Sequence, residues 1–227
     1  MIPVRAYKRD AQNMTPMAHT EGIDASEKMV TVAVKTNSAP HVTYSQWDAR
    51  AVGDIPDWRK RFDKAVRFFV LHWIPEETQA LRSISACLKP GGQALFIIRF
   101  ENRDDSFFLP RATSFLKSHE KWGAFVEDYK SSLHFWDLSV PETQKVFKAR
   151  GWAEAKCEVW RHEQVLSEIQ LKLFLDTCLG ETPLIPAAAL EDYLQDLWQW
   201  ALDRYGDKTQ PGHVLITLEF MVVHAWK

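Results

Sequence analysis

The stretch from Phe62 to Arg99 constrains the fold of this chain more than any other. Phe62 to Leu71 is rich in β-branched and aromatic residues, which predicts a strand buried on both faces. Glu76 to Leu88 follows with apolar residues along one helical stripe, and Pro90 with the two glycines after it ends that helix. Gln93 to Arg99 has the pattern of the next strand. Alternation of this kind predicts an α/β sheet.

The rest of the chain extends the same pattern. Ser26 is a predicted helix N-cap, because apolar residues follow it at helical spacing, and a short strand is expected at 41–47. Beyond the central stretch we expect a helix at 141–150, a strand at 154–161, helices at 164–179 and 186–205, and a closing strand at 214–225. The interval 104–136 is irregular and aromatic, which predicts an insertion that covers one edge of the sheet.

Composition excludes several classes of protein. The chain has 227 residues, of which 46% are hydrophobic and 26% charged, and this suits one globular domain. A formal net charge of −2 provides no basic surface for nucleic acid. The three cysteines (Cys87, Cys157 and Cys178) lie far apart and without metal-ligand spacing. They therefore predict buried reduced thiols and no metal site.

The N-terminal residues lack the apolar run of a signal peptide, and no stretch of about 18 apolar residues is present to span a membrane. We therefore expect a cytoplasmic protein without a membrane partner. Residues 1–19 have mixed charge and no sustained periodicity, which predicts an irregular arm. A single domain is expected over residues 20–227.

Four short stretches share the order and spacing of one known family. They are Gly22 to Ser26 with Met29-Val30, then Phe62-Asp63 with Leu71-His72-Trp73, then Leu88 to Gly92, and lastly Lys121-Trp122 with Phe125 and Asp128. Together they resemble the juvenile hormone acid methyltransferase family of arthropods, within the class I methyltransferases. The resemblance covers roughly residues 20–227. It implies a Rossmann-like fold with a helical, aromatic cap at about 104–136, and S-adenosylmethionine as the cofactor.

The resemblance assigns three residues to the cofactor. Asp24 lies where a strand should end and a helix begin, and a carboxylate there can accept hydrogen bonds from ribose hydroxyls. The alternative is an acidic residue stabilised by the helix dipole. Asp48, after the next strand, is implied to accept the adenine amino hydrogen, and its alternative is a solvated turn residue. Trp47 either stacks near the adenine or is a core ring.

The resemblance also assigns three residues to the side of the site that binds the methyl acceptor. His72 and Trp73 follow the strand from Phe62, where the family has the wall for the methyl-accepting carboxylate; a structural histidine is the alternative for His72. Gln12, with Tyr7 before it, resembles the family's N-terminal glutamine that contacts the acceptor. No catalytic acid or base is expected, because a carboxylate is already ionised near pH 7.

The aromatic residues of the 104–136 region have two interpretations. They suit a lid over a long apolar acid, or they are packed core rings, as such residues more often are. The rings concerned are Phe107, Phe108, Phe115, Trp122, Phe125 and Tyr129.

Two features depart from the family pattern. The family has a helix, a central first strand, a Gly-rich turn and a further helix before the position of Gly22, whereas no glycine precedes Gly22 here. The expected fold therefore lacks the first strand and the Gly-rich loop, as from a truncation or an internal deletion. Arg67 stands where similar enzymes have a small residue, and its guanidinium requires a partner if it is buried.

These observations predict an S-adenosylmethionine-dependent methyltransferase that acts on the carboxylic acid of an apolar small molecule. The alternative is a non-catalytic remnant of the same fold, which binds either a small molecule or a protein chain at an open sheet edge. A transcript product without function is a third interpretation. The sequence sets neither the acceptor nor the oligomeric state.

Overall fold

Strands and helices alternate along the chain, as the sequence pattern predicts. The computed structural model describes residues 19–68, 70–74, 76–100, 108–130 and 136–227. The strands are β1 (Thr20–Asp24), β2 (Val42–Gln46), β3 (Phe62–Phe68), β4 (Leu88–Arg99), β5 (Glu154–Leu166) and β6 (Val214–Trp226). The helices are α1 (Glu27–Thr36), α2 (Glu77–Cys87), α3 (Phe108–Ser118), α4 (Gly123–Val126), α5 (Val140–Ala149), α6 (Glu168–Cys178) and α7 (Leu190–Tyr205).

The strands form two sheets. β1 and β2 pair in parallel, with Asp24 opposite Gln46 at their carboxyl ends. The larger sheet has the order β3-β4-β6-β5, in which β3 and β4 are parallel and β6 is antiparallel to both of its neighbours. Within the described ranges, β1 pairs only with β2, and β3 pairs only with β4. One edge of β1 and one edge of β3 are therefore left without a strand partner there.

The larger sheet has a hydrophobic core on each face. Alternate residues of β6 point to opposite faces, so Val214 to Phe220 at even positions join one core, while Met221, Val223 and Ala225 join the other. The first core contains apolar residues of α3, α4, α6 and α7. The second contains residues of α2 and α5. This is a three-layer α/β arrangement.

Side-chain caps determine where two of these helices begin. Ser139 and Glu142 form a capping box at the start of α5, and Ser167 and Gln170 do the same for α6. Each pair satisfies backbone N–H groups that have no partner within the helix. Because Ser167 caps α6, β5 runs on to Leu166, and the expected start of this helix at Gln164 is wrong by one turn.

The burial predicted for the strand at Phe62 is wrong. β3 ends at Phe68, and its side chains are largely exposed: Val66 is 63% exposed and Phe68 44%. The physical reason is its position, because β3 lies at the end of the larger sheet and pairs with β4 on one side only in the described part of the chain. A strand in that place is not covered on both faces.

The strand expected at Gln93 begins earlier, at Leu88. Leu88 pairs with Phe62 and Gln93 with Lys64, so the residues between them form a bulge against β3. Gly91 lies in this bulge with φ of +78°, a backbone conformation that glycine adopts without steric cost. The Pro-Gly-Gly stretch therefore redirects the chain within a strand.

The aromatic region packs mainly as core. Phe108 and Trp122 are each 1% exposed and belong to the core that α3, α4, α6 and α7 form on one face of the larger sheet. The Trp122 indole donates a hydrogen bond to Asp196 at 2.9 Å and meets Tyr193 edge to face. Phe107 lies outside the described residues. Phe115 and Tyr129 are half-buried against the same core, whereas Phe125 is 44% exposed, so the core interpretation holds for the described rings other than Phe125.

Candidate functional site

A groove of about 490 Å³ lies where β1, β2 and β3 end. Carboxyl ends of parallel strands are the usual ligand-binding edge of an α/β sheet. The volume falls in the range of small-molecule and cofactor pockets. The described residues that line the groove are Ile23, Asp24, Ala25, Trp47, Asp48, Ala49, Arg50, Arg67, Phe68, Val70, Trp73 and Ile74.

Asp24 is the last residue of β1 and is exposed at this groove. One carboxylate oxygen, Oδ1, accepts a hydrogen bond from the backbone N–H of Ser26 at 2.8 Å. Ser26 in turn caps α1 by accepting from the N–H of Met29. The carboxylate is therefore fixed by the turn that starts the helix, and its other oxygen has no hydrogen-bond partner among the described residues. That oxygen is available to a ligand.

Asp48 also lines the groove, but its carboxylate is already paired. The Arg50 Nε lies 3.1 and 3.0 Å from the two oxygens, and its Nη2 lies 2.6 Å from Oδ2. The Arg50 backbone N–H donates to Oδ1 as well. These hydrogen bonds hold the pKa of Asp48 below its usual range. Arg50 was not predicted from the sequence, although its position two residues after a strand-end aspartate is a usable signal.

Two tryptophans give the groove an aromatic lining. Trp47 is 43% exposed and Trp73 48%, so neither indole is a core ring. Trp73 ends a short 3-10 turn, Leu71–Trp73, in which Leu71 is buried and holds the turn against the core shared with α2. The backbone of His72 lies on this turn, while its side chain is outside what the structure describes. Gln12 lies outside the described residues.

Arg67 is the remaining charged residue of the groove. Its Nε and Nη2 atoms are buried and have no hydrogen-bond partner among the described residues. Burial lowers the pKa of Arg67 below its ordinary value, and the charges of Asp48 and Asp24 oppose that shift. Asp48 is bound by Arg50. The other two charged residues of the groove, Asp24 and Arg67, are not hydrogen-bonded to each other.

Two negative findings concern the described part of the chain. No cluster of three or more histidine, cysteine, aspartate or glutamate side chains in these ranges has the geometry to hold a metal ion. None of the helices in the same ranges is long and apolar enough to cross a membrane.

Comparison with known proteins shows what the groove-forming part of the chain is similar to. Residues 6–96 match the model of a family described as a methyltransferase domain, and every groove residue lies within that range. The match supports a methyltransferase domain in this part of the chain. A candidate methyltransferase from Bacillus halodurans has a similar fold, with a TM-score of 0.57, 16% identity and coverage of 91% of this chain and 82% of that one.

Two relatives are juvenile hormone acid O-methyltransferases. The protein of Bombyx mori is 26% identical over 177 residues, which are 77% of this chain and 62% of that protein. The protein of Drosophila melanogaster is 25% identical over 217 residues, which are 91% of this chain and 71% of that protein. These comparisons confirm the predicted family resemblance and fold class, and S-adenosylmethionine as the cofactor that goes with the family. This chain spans less than two thirds of the Bombyx relative.

Proposed function

We propose that this chain binds S-adenosylmethionine in the groove and is an O-methyltransferase for the carboxylic acid of an apolar small molecule. The observation that carries the proposal is the exposed Asp24 carboxylate at the carboxyl end of β1, beside two exposed indoles. All of these residues lie in the part of the chain that matches the methyltransferase model. A carboxylic acid is proposed as the methyl acceptor because both relatives are named as acid O-methyltransferases.

The residues present fit the nucleoside part of this cofactor. The available oxygen of Asp24 can accept hydrogen bonds from ribose hydroxyls, as acidic residues at this edge do in dinucleotide-binding folds. Trp47 offers a flat apolar surface to an adenine ring. Asp48 is a weaker candidate for the adenine amino group, because a ligand there competes with Arg50 for the carboxylate.

When bound, S-adenosylmethionine supplies a methyl group, which leaves its sulfonium sulfur and joins a carboxylate oxygen while the sulfur keeps the bonding electrons. The chain's own residues have a positioning task, since an ionised acceptor needs no general base. Trp73 is exposed at the groove and offers an apolar face that shapes one side of the site. His72 and Gln12 are proposed as further acceptor contacts.

A methyl-transfer assay tests this function. The purified chain is incubated with methyl-labelled S-adenosylmethionine and a panel of apolar acids that includes farnesoic acid, and labelled ester is extracted and counted. Asp24→Asn is the matched variant, because it keeps the size of the side chain and loses its charge. Ester formation that depends on Asp24 supports the proposal.

The alternative is a chain that binds but does not transfer. Absence of ester from every acid, together with binding of S-adenosylhomocysteine in the groove, would leave a non-catalytic binding protein of this fold. The unpaired edges of β1 and β3 in the described ranges favour that alternative, since the strands beside a cofactor are normally held on both sides.

A further inference from the structure

Arg67 lines the groove and carries a pair of buried hydrogen-bond donors that have no partner among the described residues. The Nε and Nη2 atoms that lack partners are the two nitrogens on one edge of the guanidinium plane. Two parallel N–H bonds on that edge match the two oxygens of a carboxylate. An unpaired donor of this kind is costly to bury, so a partner is expected when the site is filled.

The same groove shows this geometry in use. Arg50 applies the corresponding edge, Nε with Nη2, to the carboxylate of Asp48 at 2.6–3.1 Å. Two arginines thus line one cavity. Of these two, only Arg50 has a described carboxylate bound to the Nε and Nη2 edge of its guanidinium, which is called the fork below. The fork of Arg67 has no carboxylate partner among the described residues.

The position of Arg67 on β3 explains how its side chain comes to line the groove. Ala65, two residues earlier and on the same face, packs against the core that contains α2 and α5. Arg67 therefore starts from the covered face of the sheet, and its longer side chain extends to the cavity at the strand end. The neighbouring Val66 and Phe68 are on the opposite, exposed face.

We propose that the Nε and Nη2 groups of Arg67 bind a carboxylate of the ligand that occupies the groove. The identity of the ligands rests on the proposed function, which offers two sources of this one chemistry. The methionine part of the cofactor carries a carboxylate, and so does the acid that accepts the methyl group. In this arrangement Asp24 accepts hydrogen bonds from the ribose hydroxyls, and Arg67 binds the negatively charged carboxylate of the ligand.

Calorimetric titration of two matched ligand pairs tests the proposal. The first pair is S-adenosylhomocysteine and 5′-methylthioadenosine, which lacks the amino-acid carboxylate. The second is farnesoic acid and its methyl ester. Arg67→Gln is expected to weaken the carboxylate member of one pair about 10- to 100-fold, the range for hydrogen bonds to a charged group, and to leave the other member within about twofold.

Two control variants define the interaction. Arg67→Lys keeps the charge but not the planar fork, and is expected to recover only part of the affinity. Arg82→Gln removes an exposed arginine of α2 and should change none of the four affinities. Full recovery in Arg67→Lys would overturn the fork geometry. Circular dichroism and thermal melting check that each variant is folded.

The outcomes separate this proposal from the proposed function. A loss confined to S-adenosylhomocysteine, or confined to farnesoic acid, supports the role of Arg67 and names the source of the carboxylate. Equal effects on both members of each pair, or no effect, overturn it even if the chain methylates acids. Binding of farnesoic acid that depends on Arg67, without binding of either nucleoside, would contradict the proposed function but not the role of Arg67. If none of the four ligands binds, both proposals are wrong.

Discussion

Replacing Arg67 with methionine should make the ligand-free protein more stable. Methionine keeps an unbranched apolar side chain of similar length and removes a charged group whose Nε and Nη2 are buried without partners in the described structure. A buried group that serves a ligand commonly reduces the stability of the free protein. The substitution exchanges that cost for ordinary apolar packing.

The size of the effect follows from the two donors. Each unsatisfied buried donor costs about 1–3 kcal/mol, so two cost about 2–6 kcal/mol. The attraction of Asp24 and Asp48 for the guanidinium offsets on the order of 1–3 kcal/mol of this sum. The net gain for Arg67→Met is therefore about 1–3 kcal/mol, which raises the melting temperature by about 2–12 °C in a chain of this length.

Thermal melting by circular dichroism, with urea unfolding as a second measurement, gives both quantities. Arg82→Met is the matched control, because Arg82 is exposed on α2 and surface substitutions stay within about 0.5 kcal/mol. A melting temperature that falls in Arg67→Met and not in Arg82→Met would refute the reasoning, since it would show that the Arg67 fork is satisfied in the free protein.

Three further predictions follow from the site and the fold. Asp24→Ala should weaken binding of S-adenosylhomocysteine by about 1.5–3 kcal/mol while the melting temperature stays within a few degrees, and calorimetry showing unchanged affinity in the folded variant would favour the alternative of an acidic residue stabilised by the helix dipole. Burial raises the pKa of Cys157 to about 11, so its modification by iodoacetamide should be slow at pH 8 and accelerate roughly tenfold per pH unit up to that value; mass spectrometry that finds rapid labelling at pH 8 would show an exposed thiolate instead. Inserting a first strand, Gly-rich turn and following helix from a relative that carries them before Thr20, where β1 begins, should raise thermal stability and create carboxyl methylation, because the edges of β1 and β3 gain a partner; a chimera that melts below the parent chain would contradict this.

Local sequence patterns predicted the helices and strands whose apolar residues recur with a clear period. The helix at α2 was expected from the apolar stripe that ends before Pro90, and its observed bounds, Glu77–Cys87, differ from the prediction by one residue at each end. The closing strand was expected at 214–225, and the observed β6, Val214–Trp226, extends one residue further and contributes to both cores. Apolar periodicity in a sequence indicates which face of an element is buried, and for α2 and β6 the elements that bury that face are present in the structure.

The burial of β3 was not predictable in the same way. Its sequence, with Val66 and Phe68, has the composition of a strand covered on both faces, yet these side chains are exposed at the end of the larger sheet. Burial of a strand depends on which strands lie beside it, and composition carries no information on that. The residues keep the character of a central strand in a place where the described chain provides one neighbour.

The site divides along a similar line. The family pattern pointed to Asp24, Asp48, Trp47 and Trp73, and all of them line one groove, which lies where β1 and β2 of the small sheet and β3 of the larger sheet end. The pairing of Asp48 with Arg50 was not foreseen, since it depends on the turn after β2. Gln12 and the side chain of His72 lie outside the described residues, so their roles stay predictions.

Titration of the wild-type chain with S-adenosylhomocysteine in an isothermal calorimeter tests the central claim most directly. The account predicts one saturable site, because the groove combines the exposed Asp24 carboxylate with the exposed indoles of Trp47 and Trp73. Absence of binding at millimolar ligand would contradict the claim that this groove is a cofactor site.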